Sequence, residues 1–153
     1  MKLSEMLNPS LILIPLKGNN RDEVFKEMEE YLIKNKYIKK NEPICELLIK
    51  REELGSTAVG KSVAIPHCKT NDVKETLLSI GLKKEGLYFP TPDGEPVKLL
   101  FFVFSPPEKT IDHLQLLSKI SKFIKIPGVI QNLLSAKNSQ DFIEIMKKEE
   151  KKL

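Results

Sequence analysis

Residues 97–104, with the sequence VKLLFFVF, are apolar at nearly every position, so an extended chain here carries apolar side chains on both sides. A strand with one face in water alternates apolar and polar residues, whereas a strand covered on both faces does not. Such a strand lies in the middle of a sheet. The run therefore predicts a sheet with covering layers on both faces.

Shorter segments supply the remaining strands and turns. Residues 11–14 and 63–65 are apolar runs that stop at a proline, and we predict a short strand for each. Apolar and small side chains alternate in residues 78–82, which predicts a strand with one buried face. Residues 56–60 and 90–94 are rich in small residues, proline or glycine and are predicted to be turns.

Five segments have the apolar spacing of helices. Their predicted starts are Asn20 with a capping box to Glu23, Asn41 with Pro43 in the first turn, Thr110, the residues after Pro127, and Asn138 or Ser139. The lysine- and glutamate-rich residues 147–152 are predicted to be a fraying, solvated helix end. Helices and strands interleave, so we predict an α/β fold, with a mixed β-sheet flanked by helices on both faces, as a single domain over residues 1–153.

Charge and cysteine content exclude several classes of protein. The 25 lysines and arginines nearly balance the 21 aspartates and glutamates, and the net charge of +4 is too small and too evenly spread for a nucleic-acid coat. No apolar run reaches the roughly 20 residues of a membrane helix, and the first residues do not resemble a signal peptide. Two cysteines cannot form a disulfide framework, so we expect a cytoplasmic protein.

Few residues can carry chemistry, because the chain has two histidines and two arginines. His67 follows Pro66, which stiffens the approach to it, and is predicted in a turn after a strand, as either an active imidazole or a surface histidine. His113 lies near the start of a helix, where it is either a second ring beside an anion or a core residue. Arg51 is either a planar fork for phosphate or carboxylate, or a helix-surface residue.

Metal and nucleotide sites find little support. A zinc site of His67, Cys68, His113 and Cys45 can be drawn, but adjacent residues rarely both bind one metal, and no C-x-x-C or H-x-x-x-H spacing is present. A Cys68–His67 nucleophilic pair is disfavoured because neighbours on an extended segment point to opposite faces. Neither a P-loop nor a G-x-G-x-x-G motif occurs.

One longer pattern is specific. Residues 51–67, REELGSTAVGKSVAIPH, resemble the active-site segment of the fructose/mannitol-type enzyme IIA domains of the bacterial phosphoenolpyruvate-dependent sugar phosphotransferase system, roughly R-E-x-x-G-S-T-G-x-G-x-G-x-A-I-P-H. Residues 93–97 resemble the family's D-G-x-P-V segment, and residues 113–117 resemble its H-L-x-x-L segment. The resemblance extends from residue 3 to about residue 145 and includes the nitrogen-regulatory IIA proteins.

Two residues depart from the family pattern. Ala58 and Ser62 stand where the family most often has glycine. Both side chains are small, so we expect the turn to survive if neither residue needs a positive φ. Cys68, which follows His67, has no role in the pattern.

The resemblance implies a role for four residues. His67 corresponds to the histidine that accepts a phosphoryl group on its tele nitrogen from the phosphocarrier HPr or its nitrogen-branch counterpart. His113 corresponds to the supporting histidine, Arg51 to the arginine that neutralises the phosphoryl oxygens, and Thr57 is expected to offer them a hydrogen bond. No metal or other cofactor is implied, since the phosphoryl group arrives already on a histidine.

The destination of that phosphoryl group is left open. A nitrogen-regulatory IIA protein that controls target proteins is favoured, because the sequence contains no fused IIB or IIC segment. Residues 51–57 are closer to the nitrogen-regulatory and fructose types than to the mannitol type. The alternatives are a fructose-type component that passes the group to a cysteine of an enzyme IIB, and a binding module of the same fold without phosphotransfer. Neither nucleic acid nor direct membrane insertion is expected.

Overall fold

Within residues 2–153, the part of the chain that the computed structural model describes, six strands form one mixed sheet. They are β1 (Ile12–Leu13), β2 (Ala58–Gly60), β3 (Val63–Ala64), β4 (His67–Lys69), β5 (Leu77–Leu87) and β6 (Val97–Ser105). The order is β1-β5-β6-β3-β2, and β4 also pairs with β6. β6 runs antiparallel to β5 and parallel to both β3 and β4.

The predicted central strand is confirmed in β6. Every residue of the run 99–104 is fully buried, although successive side chains point to opposite faces of the sheet. Phe102 packs edge-on against Phe25 of the first helix, with ring centroids 5.9 Å apart, and lies parallel to Phe104 at 6.3 Å. Both faces of β6 are therefore covered, as an apolar strand of this kind requires.

Five α-helices in the described residues confirm the predicted α/β class. They are α1 (Arg21–Lys34), α2 (Ile44–Glu53), α3 (Thr110–Phe123), α4 (Val129–Leu134) and α5 (Ser139–Glu150). α1 begins as predicted, because Asn20 Oδ1 accepts a hydrogen bond from Glu23 N at 2.9 Å. The Glu23 carboxylate, however, reaches back to Asn19 N rather than to the cap residue itself.

α2 begins later than the predicted Asn41. The backbone N–H groups of Asn41 and Glu42 donate instead to Asp72 Oδ2, at 3.0 and 2.7 Å, and Pro43 is the N-cap. A contact distant in sequence thus takes the hydrogen bonds that would have started the helix earlier. The other predicted helix starts lie within one residue or so of the observed ones, with Thr110 as the first helical residue rather than the cap.

Three local predictions about strands are wrong. The segment at residues 78–82 is buried on both faces rather than one, because the face that carries Ser79 is also covered, by Leu11 and by Met28 of α1. Gly81 allows this close packing, since a Cβ there would lie 2.7 Å from Leu16 Cδ1. The predicted turn at residues 56–60 contains strand β2, and His67 opens strand β4 instead of lying in a turn.

The end of α5 is anchored, contrary to the prediction of a fraying, solvated terminus. Glu150 is buried and accepts hydrogen bonds from the backbone N–H groups of Leu3 (2.5 Å) and Ser4 (3.0 Å). Glu149 is also buried and pairs with Lys152 at 2.5 Å. Glu150 thus satisfies backbone donors near the start of the chain, and Glu149 bonds to side chains of α4 and of its own helix end, which explains why a charged segment is held in place.

The loop between β2 and β3 contains backbone strain at one of the two substituted glycine positions. Lys61 has φ 57° and Ser62 has φ 69°, whereas Ala58 lies in β2 without a positive φ. A non-glycine residue in this left-handed region costs about 1 kcal/mol. Alanine therefore replaces the family's usual glycine at position 58 without backbone strain, whereas serine at position 62 adopts a positive φ and is strained.

Ser62→Gly is expected to raise the free energy of unfolding by about 1 kcal/mol, because glycine adopts this φ without steric cost. Ala58→Gly serves as the control and is expected to lower it by about 1 kcal/mol or more, since it adds freedom to the unfolded chain and removes a buried methyl group. Urea denaturation of both variants measures the two changes. A destabilising Ser62→Gly would contradict the assignment of strain to this residue.

Candidate active site

A surface pocket of about 400 Å³ lies where α2, β4 and α3 meet. Its lining residues are Leu47, Lys50, Arg51, Leu54, His67, Cys68, Lys69 and His113. Three of the four residues predicted to act, which are distant in sequence, are thus brought together. A larger groove of about 730 Å³ borders α1, but the residues that line it include no histidine, cysteine or arginine.

His67 is held with its Nε2 atom available. β4 runs parallel to β6 with His67 opposite Val103. The Nδ1 atom of His67 lies 2.7 Å from the Ile65 carbonyl oxygen, which can only accept, so Nδ1 carries the hydrogen. The lone pair of the neutral ring is therefore on Nε2, the tele nitrogen.

Arg51 approaches that same nitrogen. It lies in the last turn of α2, and its Nε–H donates to His67 Nε2 at 3.2 Å. Its Nη1–H donates to the Gly55 carbonyl at 2.9 Å, which fixes the plane of the guanidinium group. A planar cation at the lone pair of His67 is suited to oxygens attached to a group bound there.

His113 lies within the first turns of α3, and its side chain is buried. Its Nδ1 atom lies 2.7 Å from Ser105 Oγ, at the end of β6. The ring centroids of His113 and His67 are 5.4 Å apart, at an interplanar angle of 63°. The second imidazole therefore lies beside the first and is held by the sheet rather than by its own helix.

Burial keeps both imidazoles neutral near pH 7. It lowers the pKa of His67 below its ordinary value of 6.5, and the nearby Arg51 charge lowers it further against the opposing hydrogen bond to Ile65. Burial also lowers the pKa of His113 to about 4, with smaller contributions from His67 and Lys69. A neutral His67 is the form that has a free lone pair on Nε2.

Thr57 lies outside the pocket lining and is buried. Its hydroxyl donates to Glu52 Oε1, and its backbone N–H donates to Glu52 Oε2 at 2.9 Å. This differs from the expected role, in which the hydroxyl hydrogen bonds to a phosphoryl oxygen. Glu52 was not predicted from the sequence, although the second position of the R-E-x-x-G-S-T segment marked it.

Lys69 is a second residue that sequence reasoning missed. It lies two residues after His67 in β4, so both side chains point to the same face of the strand. Its Nζ donates to Thr110 Oγ1 at the start of α3, at 2.8 Å. The spacing H-x-K would have indicated this in the sequence, because residues i and i+2 of an extended segment share a face.

The cysteines give no sign of nucleophilic or metal chemistry in the described residues. Cys68 is buried, and burial raises the pKa of its thiol to about 12, so it is protonated at neutral pH. Among residues 2–153, no three His, Cys, Asp or Glu side chains are arranged to hold a metal ion. None of the helices in that range combines the length and hydrophobicity needed to cross a bilayer.

The depressed pKa values predict how stability depends on pH. Below pH 6.5 the unfolded His113 takes up a proton, whereas the folded one does so only near pH 4. The free energy of unfolding should therefore fall as the pH drops through this window. His113→Gln should remove part of that fall, as measured by urea denaturation of both proteins at pH 7.0, 5.5 and 4.5. Identical pH dependences in the two proteins would contradict the depressed pKa.

The chain is similar to known proteins over nearly its whole length. Residues 5–149 match a family model described as "Phosphoenolpyruvate-dependent sugar phosphotransferase system, EIIA 2". The fructose-specific EIIABC component of Bacillus subtilis is 28% identical over 151 residues, which are 99% of this chain and 24% of that protein. The chain thus spans about a quarter of that relative's length.

Two nitrogen regulatory proteins match over nearly their whole length. One from Bradyrhizobium diazoefficiens is 28% identical over 147 residues, which are 95% of each chain. The crystal structure of nitrogen regulatory protein IIA-Ntr from Neisseria meningitidis is 28% identical and has a TM-score of 0.83. The match covers 94% of this chain and 98% of that one.

Proposed function

The chain belongs to the EIIA 2 family of the phosphoenolpyruvate-dependent sugar phosphotransferase system, and from this premise we propose that it carries a phosphoryl group on His67 Nε2. The observation that supports this most directly is the hydrogen bond of 3.2 Å from Arg51 Nε to that nitrogen. It aims a planar cation at the atom where a phosphoryl group would be attached. The chain is thus proposed to be a phosphohistidine phosphocarrier that acts in the cytoplasm.

The proposed reaction is an in-line displacement between two histidines. The lone pair of His67 Nε2, released by Arg51 Nε–H as the guanidinium group turns to the phosphoryl oxygens, attacks phosphorus while the bond from phosphorus to the donor's nitrogen breaks. No proton has to leave Nε2, because the ring hydrogen is on Nδ1 and stays hydrogen-bonded to Ile65. The protein's contribution is then positioning and charge stabilisation, which is what this class of transfer mainly requires.

Charge stabilisation is assigned to the cations of the pocket. Arg51 is already at Nε2, and Lys69 lies on the same face of β4 as His67. His113, 5.4 Å away by ring centroids, supports the phosphohistidine from the side of α3. Neither a metal nor a nucleotide enters this reaction.

The partner surface is proposed to be the rim of the pocket. Leu54 at the end of α2 is 85% exposed, and Ile111 and Leu114 on α3 are 72% and 59% exposed. A donor that transfers directly to Nε2 has to cover this rim, and its apolar side chains would then be buried. The proposed donor is HPr or its nitrogen-branch counterpart.

A regulatory role is proposed over sugar transport. The observation that favours it is the similarity to the nitrogen regulatory protein IIA-Ntr of Neisseria meningitidis, with 28% identity and a TM-score of 0.83. The phosphorylation state would then control target proteins. Transfer to a cysteine of an enzyme IIB remains the second candidate, because the fructose-specific relative matches over 99% of this chain at the same identity.

Substitution of the three pocket residues tests the site. Incubation with phosphoenolpyruvate, enzyme I and HPr is expected to add one acid-labile phosphoryl group to the wild-type protein, detected by intact mass, and none to His67→Ala. His113→Ala should still be labelled but at least about tenfold more slowly. Arg51→Lys should also slow labelling, because an ammonium lacks the planar fork. Label that persists in His67→Ala would show that the acceptor is another residue.

Onward transfer separates the two roles. Purified phosphorylated protein is mixed with the IIB domain of a fructose permease, and the cysteine phosphate on IIB is measured by mass. The regulatory role predicts no transfer above that seen with a IIB variant lacking the cysteine. Rapid and stoichiometric transfer would instead assign the chain to sugar uptake.

A further inference from the structure

We propose that Glu52 is a positioning residue of this site, which acts through Thr57 on the segment at residues 55–57 and thereby aligns Arg51 with His67. Its effect on phosphoryl transfer rests on the proposed function, whereas its effect on the alignment does not. The inference starts from a buried carboxylate that the proposed reaction does not use. Two hydrogen-bonded routes then lead from this segment to the two groups that meet at Nε2.

The position of Glu52 is energetically unfavourable for a charged carboxylate. Its side chain is buried, and a carboxylate loses much of its hydration there unless hydrogen bonds replace it. It also lies in the last turn of α2, at the negative end of the helix dipole, where a carboxylate is disfavoured. Both of its oxygens accept hydrogen bonds from Thr57, one from the backbone N–H at 2.9 Å and one from the hydroxyl. These charge-assisted bonds hold Thr57 against the end of the helix.

The first route leads to the arginine. Gly55 lies two residues before Thr57, has φ 148° and donates its own N–H to the Glu52 carbonyl at 3.0 Å. Its carbonyl oxygen accepts the Nη1–H of Arg51 at 2.9 Å. With that edge of the guanidinium group held, the Nε–H of Arg51 points to His67 Nε2. The direction of Arg51 therefore depends on where the segment places one carbonyl group.

The second route leads to the histidine. The Thr57 carbonyl oxygen accepts the N–H of Ile65 at 3.0 Å. The Ile65 carbonyl oxygen in turn accepts Nδ1–H of His67 at 2.7 Å. The same short segment thus holds the backbone that determines the His67 tautomer. This route begins at Thr57, which donates two hydrogen bonds to the buried carboxylate of Glu52.

A spectroscopic experiment measures the alignment without any phosphoryl donor. The chain has two arginines, so a ¹⁵N spectrum of the Nε–H region contains two arginine resonances. Arg21, which does not line the pocket, donates its Nε–H to Asp22 at 2.8 Å and serves as the internal reference. We expect the hydrogen exchange of Arg51 Nε–H to become at least about tenfold faster in Thr57→Val and in Glu52→Met, with Arg21 unchanged. Thr57→Ser retains the hydroxyl and should behave as wild type.

A matched control and a kinetic arm complete the test. Glu53→Met places the same substitution on the exposed neighbouring residue and should leave both arginine signals unchanged. In the labelling assay, Thr57→Val and Glu52→Met should slow phosphorylation of His67 by about ten- to a hundredfold, since a displacement near 1 Å can cost that much. The double variant should be no slower than Glu52→Met alone, because Glu52→Met already removes the hydroxyl hydrogen bond that Thr57→Val removes.

The outcomes separate the two proposals. If Thr57→Val and Glu52→Met unfold more readily but leave Arg51 Nε–H exchange as in wild type, the positioning role is overturned and Glu52 is merely structural. Equal behaviour of Thr57→Ser and Thr57→Val would overturn it as well. If the wild-type protein takes up no phosphoryl group, the proposed function fails, while the exchange of Arg51 Nε–H still decides whether Glu52 aligns the pair.

Discussion

The burial of β6 on both faces is the constraint on which the site depends. β4 joins the sheet by parallel pairing with β6, and this places His67 opposite Val103. The last residue of β6, Ser105, holds Nδ1 of His113. α3 leaves the sheet a few residues later and brings His113 back over β4. Two histidines that are 46 positions apart in the sequence thus meet because each contacts the end of the same apolar strand, β6.

The groups that the proposed transfer would use are already arranged in this structure. The two imidazoles are kept neutral by burial, and the Nδ1–H of His67 is committed to a backbone carbonyl, so the lone pair on Nε2 needs no prior loss of a proton. Arg51 already contacts that nitrogen. Such preorganisation suits a reaction whose barrier is lowered mainly by positioning and by fixed charge.

In three places, a carboxylate holds a neighbouring segment by accepting hydrogen bonds from its backbone N–H groups. Asp72 accepts the N–H groups before α2, Glu150 accepts those at the start of the chain, and Glu52 accepts those of Thr57. In each case a side chain from one segment satisfies backbone donors of another segment. In a chain with 30% charged residues, some of the charges that look like solvated surface in the sequence are structural anchors.

Local patterns predicted much of the architecture and failed where partners distant in sequence intervene. The apolar run of β6 and the cap at Asn20 followed from spacing alone, because each depends on neighbours within a few residues. The start of α2 and the anchoring of α5 did not, since Asp72 and Leu3 are far away in the chain. The strand at residues 78–82 was expected to have one solvated face, but Met28 of α1 and Leu16 cover that face.

The sequence by itself determined the class of fold, the family and the short list of residues able to act, because residue types and their spacing carry that information. It did not determine which ring nitrogen of His67 is free, where the Thr57 hydroxyl points, or that Ser62 has a positive φ. The first two features depend on the positions of single carbonyl and carboxylate oxygens, and the third on the turn that pairs β2 with β3. Only the packing of α2, β4 and α3 around β6 brings these oxygens within hydrogen-bond distance, and only the tertiary structure could decide them.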